Sequence, residues 1–212
     1  MIQSTDRTRK RVRLRHMTNG SYIVLEGPDG GGSTTHAALL CDTLRRRGHD
    51  VVQTAEPTSG PIGTMIRAEL RGKGITPDAL QMLYSADRAW HMATIVRPAL
   101  AAGKIVVGER CQLSTFVYGE ALGLDVPWLE RMNEKCVRPD MLLVLMPPFD
   151  VCAERLGIRD RDLLENDSLQ RKVHAAYERS LQRNPSYVHV DTSGHVQPVA
   201  DAIAQIVERF LT

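Results

Sequence analysis

Nine consecutive residues, Gly27-Pro28-Asp29-Gly30-Gly31-Gly32-Ser33-Thr34-Thr35, hold the densest chemistry in the chain. Glycines let a backbone fold tightly enough for successive N–H groups to converge on one concavity, and a helix N-terminus adds partial positive charge. That is the physical description of a phosphate cradle. The strict form of the motif is a glycine, four residues, a second glycine, a lysine, then serine or threonine. Gly27, Gly32 and Thr34 fit it, but Ser33 stands at the lysine position. Taken alone, the segment reads equally well as a glycine-rich turn without a ligand.

Other reactive residues are dispersed. The four cysteines (Cys41, Cys111, Cys136, Cys152) form no C-x-x-C pair and read as small apolar residues of a reducing, cytoplasmic compartment. The seven histidines show no metal-ligand spacing. Arg45-Arg46-Arg47 before Gly48 is a basic last turn followed by a helix stop, and so a solvated helix end.

Around the loop, strand and helix patterns alternate from residue 20 onward. Strands are expected at Tyr22–Leu25, from Val51-Val52, at Ile105–Val107, at Met141–Met146 and at Tyr187–Val190. Helices are expected at Thr34–Arg47, Pro61–Leu70, Pro77–Ala102 with a bend or break near Pro98, and Val196–Leu211. The alternation predicts a three-layer α/β fold of the P-loop NTPase type, with about five parallel strands and helices on both faces. In such sheets ligands lie beyond the carboxyl ends of the strands.

Composition agrees with one globular domain: 212 residues, 42% apolar and 25% charged. No apolar run approaches the ~18 residues of a membrane span, so no membrane partner is expected. The net charge of +2 conceals a basic leader. Residues 1–19 carry six basic groups against Asp6, a net +5, leaving 21 basic and 24 acidic groups elsewhere. The leader lacks the apolar stretch of a secretion signal and is expected to be a disordered tail, or sequence upstream of a start at Met17. Nucleic acid is an unlikely partner except through this leader. The domain reading is therefore 1–19 as leader and 20–212 as catalytic body, with a lid near 155–166.

Four further pieces follow the loop in order: Glu56-Pro57 with Gly60-Pro61-Ile62-Gly63 and Ile66-Arg67; Leu83-Tyr84-Ser85-Ala86-Asp87-Arg88; Glu109-Arg110; and Ser114 with Tyr118. Together with Gly27–Thr35 they make the chain resemble the thymidylate kinases, which transfer phosphate from ATP to dTMP with Mg²⁺. The resemblance runs from residue 20 to the C-terminus. It implies that Gly27, Gly30, Gly31, Gly32, Ser33, Thr34 and Thr35 hold the donor phosphates, and that Thr34 and Glu109 serve Mg²⁺. By the same resemblance Asp29 faces the sugar 3′-hydroxyl and Glu56 lies near the acceptor. Tyr84 stacks on the base, Arg88 hydrogen-bonds it, and Thr115 lies beside it. Tyr118 crowds the ribose 2′-position, and Arg67 sits close to the nucleotide. Glu109 and Arg110 replace the family's Asp-Arg pair as catalytic groups. Arg155, Arg159 and Arg161 fall where the family has a mobile lid, with Arg159 and Arg161 implied as catalytic. A homodimer is implied as well.

Four positions depart from the family pattern: Ser33 for lysine, Ala55 for the arginine before Glu-Pro, Glu109 for aspartate and Gly119 for a glutamine near the base. Losing one preorganised electrostatic donor costs about 10²–10³ in rate. The expectation is a dTMP kinase whose missing lysine charge is supplied by the lid arginines. The alternatives are a kinase for another nucleoside monophosphate and a nucleotide-binding pseudoenzyme with little turnover.

Overall fold

A computed structural model describes residues 20–72, 74–157, 164 and 166–212. Its five strands are β1 (Ser21–Glu26), β2 (Val51–Ala55), β3 (Ile105–Glu109), β4 (Met141–Leu145) and β5 (Val188–Val190). They pair in the order β2-β3-β1-β4-β5, and every pairing is parallel. The helices are α1 (Ser33–Arg46), α2 (Pro61–Gly72), α3 (Pro77–His91), α4 (Arg97–Ala101), α5 (Gln112–Ala121), α6 (Val126–Asn133), α7 (Phe149–Leu156), α8 (Asp167–Arg183) and α9 (Val196–Leu211).

Strand side chains alternate between the two faces of a sheet, and here both faces are buried. Tyr22 and Val24 of β1 enter one core, while Ile23 and Leu25 enter the other. On β4, Leu142 and Val144 oppose Leu143 and Leu145 in the same way. The first core is closed by α2, α3, α5 and α8 through residues such as Ile66, Leu80, Val117 and Val173. The second is closed by α1 and α9 through Leu40, Leu44, Ile203 and Val207. This is the expected three-layer α/β architecture.

The strands match the expected ones, with β1 and β2 longer than the apolar runs that signalled them. The expected long helix over 77–102 divides differently. A π-helical turn, Met92–Val96, separates α3 from α4 one turn before Pro98. Proline lacks an N–H, and its ring crowds the carbonyl four residues earlier, so the distortion falls N-terminal to the proline itself. The basic triplet is a helix end as expected: Arg45 and Arg46 close α1, and Gly48 follows with φ 88°. All four cysteines are free thiols, with Cys41, Cys111 and Cys152 buried and Cys136 half-buried. Among the described residues no helix is long and apolar enough to cross a membrane. The basic leader, Arg159 and Arg161 lie outside the described residues.

β1 is the central strand: the chain runs from it to β2 at one edge, returns to β3 beside it, and then passes to β4 on its other side. That makes its carboxyl end the switch point, where α/β sheets open a crevice for ligands.

Candidate active site

A cavity of about 760 Å³ opens at this point, lined by the loop after β1, the Ala55-Glu56-Pro57 segment after β2, and Glu109-Arg110 at the end of β3. The loop shape is imposed by close neighbours. A Cβ at Gly27 would lie 2.2 Å from the Leu145 carbonyl oxygen. At Gly30, where φ is 80°, it would lie 2.6 Å from the Cys152 carbonyl oxygen. Two groups from the far side hold the loop carbonyls: Arg155 Nη1 donates to Gly30 O at 3.0 Å, and Thr192 Oγ1 donates to Gly31 O at 2.7 Å. A peptide carbonyl and the next N–H point in opposite directions; the Gly31 N–H beside the Gly30 carbonyl closes a turn onto Pro28 O at 2.9 Å, and the Gly32 N–H lies opposite the carbonyl that Thr192 holds. The first turn of α1 adds N–H groups that have no acceptor within the helix.

Ser33 begins α1, and its hydroxyl donates to Glu109 Oε1 at 3.0 Å. Thr34 Oγ1 donates to the same oxygen at 2.5 Å. The lysine position therefore carries a hydroxyl bound to a carboxylate. This cluster of hard oxygen donors fits a small divalent cation that also binds phosphate. Among the described residues no group of three His, Cys, Asp or Glu side chains converges on a metal site, so such an ion would draw its remaining ligands from phosphate and water.

Arg110, with φ 65°, bridges the two halves of the cavity. Its Nη1 donates to Gly27 O and to Ser114 Oγ, each at 3.1 Å, and Nη2 pairs with Asp29 Oδ1 at 2.5 Å. Asp29 Oδ2 accepts from Tyr118 OH at 2.7 Å and from Gln170 Nε2 at 2.8 Å. Burial, and then the Asp29 charge, push the Tyr118 phenol well above its ordinary pKa, so it stays a donor to Asp29.

Beyond β2, Glu56 is buried between the Arg88 guanidinium, with Nε at 2.7 Å, and the His91 imidazole, with Nδ1 at 3.0 Å. Arg88 Nη1 donates to Thr115 Oγ1 at 3.1 Å and Asn133 Oδ1 at 2.6 Å, and Nη2 donates to Cys111 O at 3.2 Å. Four of the five guanidinium donors are thus bonded within the protein. Arg67 spans the Pro57 and Thr58 carbonyls.

Most of the residues singled out in the sequence converge here. Asp29, Gly30, Gly32, Ser33, Thr34 and Thr35 line the cavity from the loop and the start of α1. Glu56, Arg67, Tyr84, Thr115 and Tyr118 line it as well, together with Glu109 and Arg110. Gly27, Gly31 and Arg88 lie behind the lining, where they shape the wall. Gly119 faces α6: a Cβ there would lie 2.1 Å from Leu129 Cδ1. Its lack of a side chain matches the close α5–α6 contact, and a larger residue would need the Leu129 side chain to shift.

Several working residues carried no readable signal. Glu26 is fully buried at the end of β1, where its carboxylate accepts from the backbone N–H groups of Gly27, Cys111 and Ser114, from Ser114 Oγ and from Tyr177 OH. It ties the loop to the start of α5 and to α8. Glu26, Asn133, Gln170 and Thr192 are ordinary polar residues in sequence, and only long-range pairing gives them roles, while Gln81 is notable for bordering the cavity.

The sequence profile of the thymidylate kinases matches residues 25–203. The chain belongs to the thymidylate kinase family. It is 36% identical over 201 residues to a probable thymidylate kinase of Thermococcus kodakarensis, spanning 90% of this chain and 98% of that protein. A thymidylate kinase of Bordetella petrii is 34% identical over 194 residues, 88% of this chain and 93% of its own. The fold superposes on that of a thymidylate kinase from Candida albicans with a TM-score of 0.80, at 23% identity and over 91% of this chain and 92% of that one. The Ser33–Glu109 contact and the Gly119–Leu129 contact are the local structures at three of the four positions noted in the sequence, Ser33, Glu109 and Gly119.

Proposed function

We propose that this thymidylate kinase family member transfers the γ-phosphoryl group of ATP to the 5′-phosphate of dTMP. The observation that carries the reading is one cavity shared by a glycine-loop phosphate cradle and an aromatic, arginine-braced acceptor wall, with Arg110 between them. The loop amides and the N-terminus of α1 hold the donor phosphates. Thr34 and Glu109 would hold Mg²⁺, which when bound offsets phosphate charge. Arg110, aligned by Asp29 and the Gly27 carbonyl, presents its guanidinium to the phosphoryl group in flight. Tyr84 stacks on the base, and the Tyr118–Asp29 pair faces the sugar. No covalent intermediate is needed, because positioning and charge neutralisation suffice for phosphoryl transfer.

Arg155 joins the lid arginines as a cation for the site, since it reaches the loop itself. Arg159 and Arg161 belong to the same proposal through their family positions. A cytoplasmic location is supported by the four free thiols. A homodimer belongs to the same proposal through the family resemblance.

The test is ADP release with ATP and Mg²⁺ across a panel of nucleoside monophosphates. Turnover with dTMP preferred is the expected result. Preference for another base would reassign the acceptor. Nucleotide binding without turnover would make the protein a pseudoenzyme.

A further inference from the structure

The acceptor wall contains one polar atom that the protein leaves unsatisfied. Gln81, on α3, borders the cavity and is only 1% exposed, yet its Oε1 has no hydrogen-bond partner. Native proteins leave few buried polar atoms unpaired, because each one forfeits its bonds to water. An orphan acceptor beside a substrate cavity is what remains when the donor belongs to the ligand.

Its setting is built. Gln81, Tyr84, Ser85 and Arg88 fall at i, i+3, i+4 and i+7 and so share one face of α3. Ser85 Oγ donates to the Gln81 main-chain oxygen at 2.9 Å, and Asn133 Nδ2 donates to Ser85 Oγ at 3.1 Å. Asn133 in turn accepts from Arg88. The face is therefore held from Arg88 to Gln81, with Tyr84 on the cavity side between them. Gly119, where the family pattern has a base-side glutamine, carries no side chain to reach the base, and a Cβ there would meet Leu129 Cδ1 at 2.1 Å.

We propose that Gln81 is a specificity-determining residue that reads the edge of the acceptor base. A carboxamide offers an acceptor oxygen and a donor –NH₂ side by side in one plane. That pair is complementary to a ring N–H flanked by a carbonyl, the edge of a 2,4-dioxopyrimidine. The orphan Oε1 takes the ring N–H, and the –NH₂ meets the carbonyl beside it. This assignment rests on the dTMP reading above and adds the group that recognises the base.

The experiment compares dTMP with its N3-methyl derivative, which lacks the ring N–H. Wild-type protein, Gln81→Ala (which leaves room for the methyl group) and Gln81→Leu are assayed by ADP release and by calorimetric binding of each nucleotide. The wild type should prefer dTMP by about tenfold or more. Gln81→Ala should raise the KM for dTMP by about tenfold with a far smaller change in kcat, leave ATP binding unchanged, and lose most of the discrimination against the methylated base. Gln81→Leu should melt at or above the wild-type temperature, because it removes an unpaired buried acceptor. Three results would overturn the assignment: an equal methyl penalty in wild type and Gln81→Ala, equal weakening of dTMP and ATP, or a Gln81→Leu protein that is less stable. A wild type that leaves dTMP unphosphorylated would instead overturn the acceptor reading together with this assignment.

Discussion

Glu109 is the residue on which the donor half of the site turns. One carboxylate oxygen receives both the Ser33 and the Thr34 hydroxyl, so a single side chain positions the two groups that open α1. Glu109→Ala should reduce kcat by about 10²-fold or more and move the Mg²⁺ dependence to higher concentration. Steady-state kinetics at several Mg²⁺ concentrations measure both, and an unchanged Mg²⁺ dependence would detach Glu109 from the metal. Arg88 presents a different case. Its neighbours are a buried carboxylate, two side-chain oxygens and a main-chain carbonyl. Arg88→Met leaves Glu56 buried with His91 alone, and breaking a buried pair in this way costs about 3–5 kcal/mol. Urea unfolding should show that loss without any nucleotide present. A variant of wild-type stability that merely binds dTMP more weakly would place the arginine's work at the base alone.

Among the elements, α5 has its position fixed at both ends. The Glu26 carboxylate receives the Cys111 and Ser114 N–H groups at its start, and Gly119 lets α6 approach near its end. Gly119→Ala should cost about 1–3 kcal/mol through overpacking against the fully buried Leu129, and Leu129→Ala should relieve part of it. Thermal denaturation of the two single variants and the double variant tests this; simple additivity would show that the contact is not shared. This contact also marks where the sequence could be read and where it could not. The strands, α1, α2 and α9 announce themselves by apolar runs, proline starts and a glycine stop, all of which are local signals. The loop and the residues around Tyr84 and Glu109 were equally legible as a family pattern. Gly119, which the family pattern marks as lacking a base contact, also meets a partner ten residues away on another helix, a contact that no local signal announces. Glu26 owes its meaning to neighbours that no spacing rule brings together, and Gln81 to the cavity that it borders. The π-helical turn before Pro98 likewise appeared in sequence only as a proline expected to bend its own helix.

At the scale of the whole molecule, the donor cradle is assembled from distant parts of the chain. His36 is buried in α1 against Gly32, and burial first, then the Arg155 charge, lower its pKa below the ordinary histidine value. The unfolded chain therefore takes up this proton more readily than the folded one. The stability that the neutral imidazole supports is complete above about pH 6.5 and declines as pH falls toward the depressed folded value. Urea titrations between pH 7.5 and 5 should show a shallower decline for His36→Gln than for wild type; parallel curves would mean that His36 carries none of the acid sensitivity.

Thr192, which holds the Gly31 carbonyl, follows β5 and lies 161 residues beyond the loop. Although the glycine segment is among the first parts of the described chain to be synthesised, its backbone has no such anchor until the last strand has docked beside β4. Competence to grip a polyphosphate is thus acquired late in folding. A nascent chain stalled before β5 would carry every residue of the loop and still gain little protection from ATP, so nucleotide stabilises finished molecules in preference to partial ones.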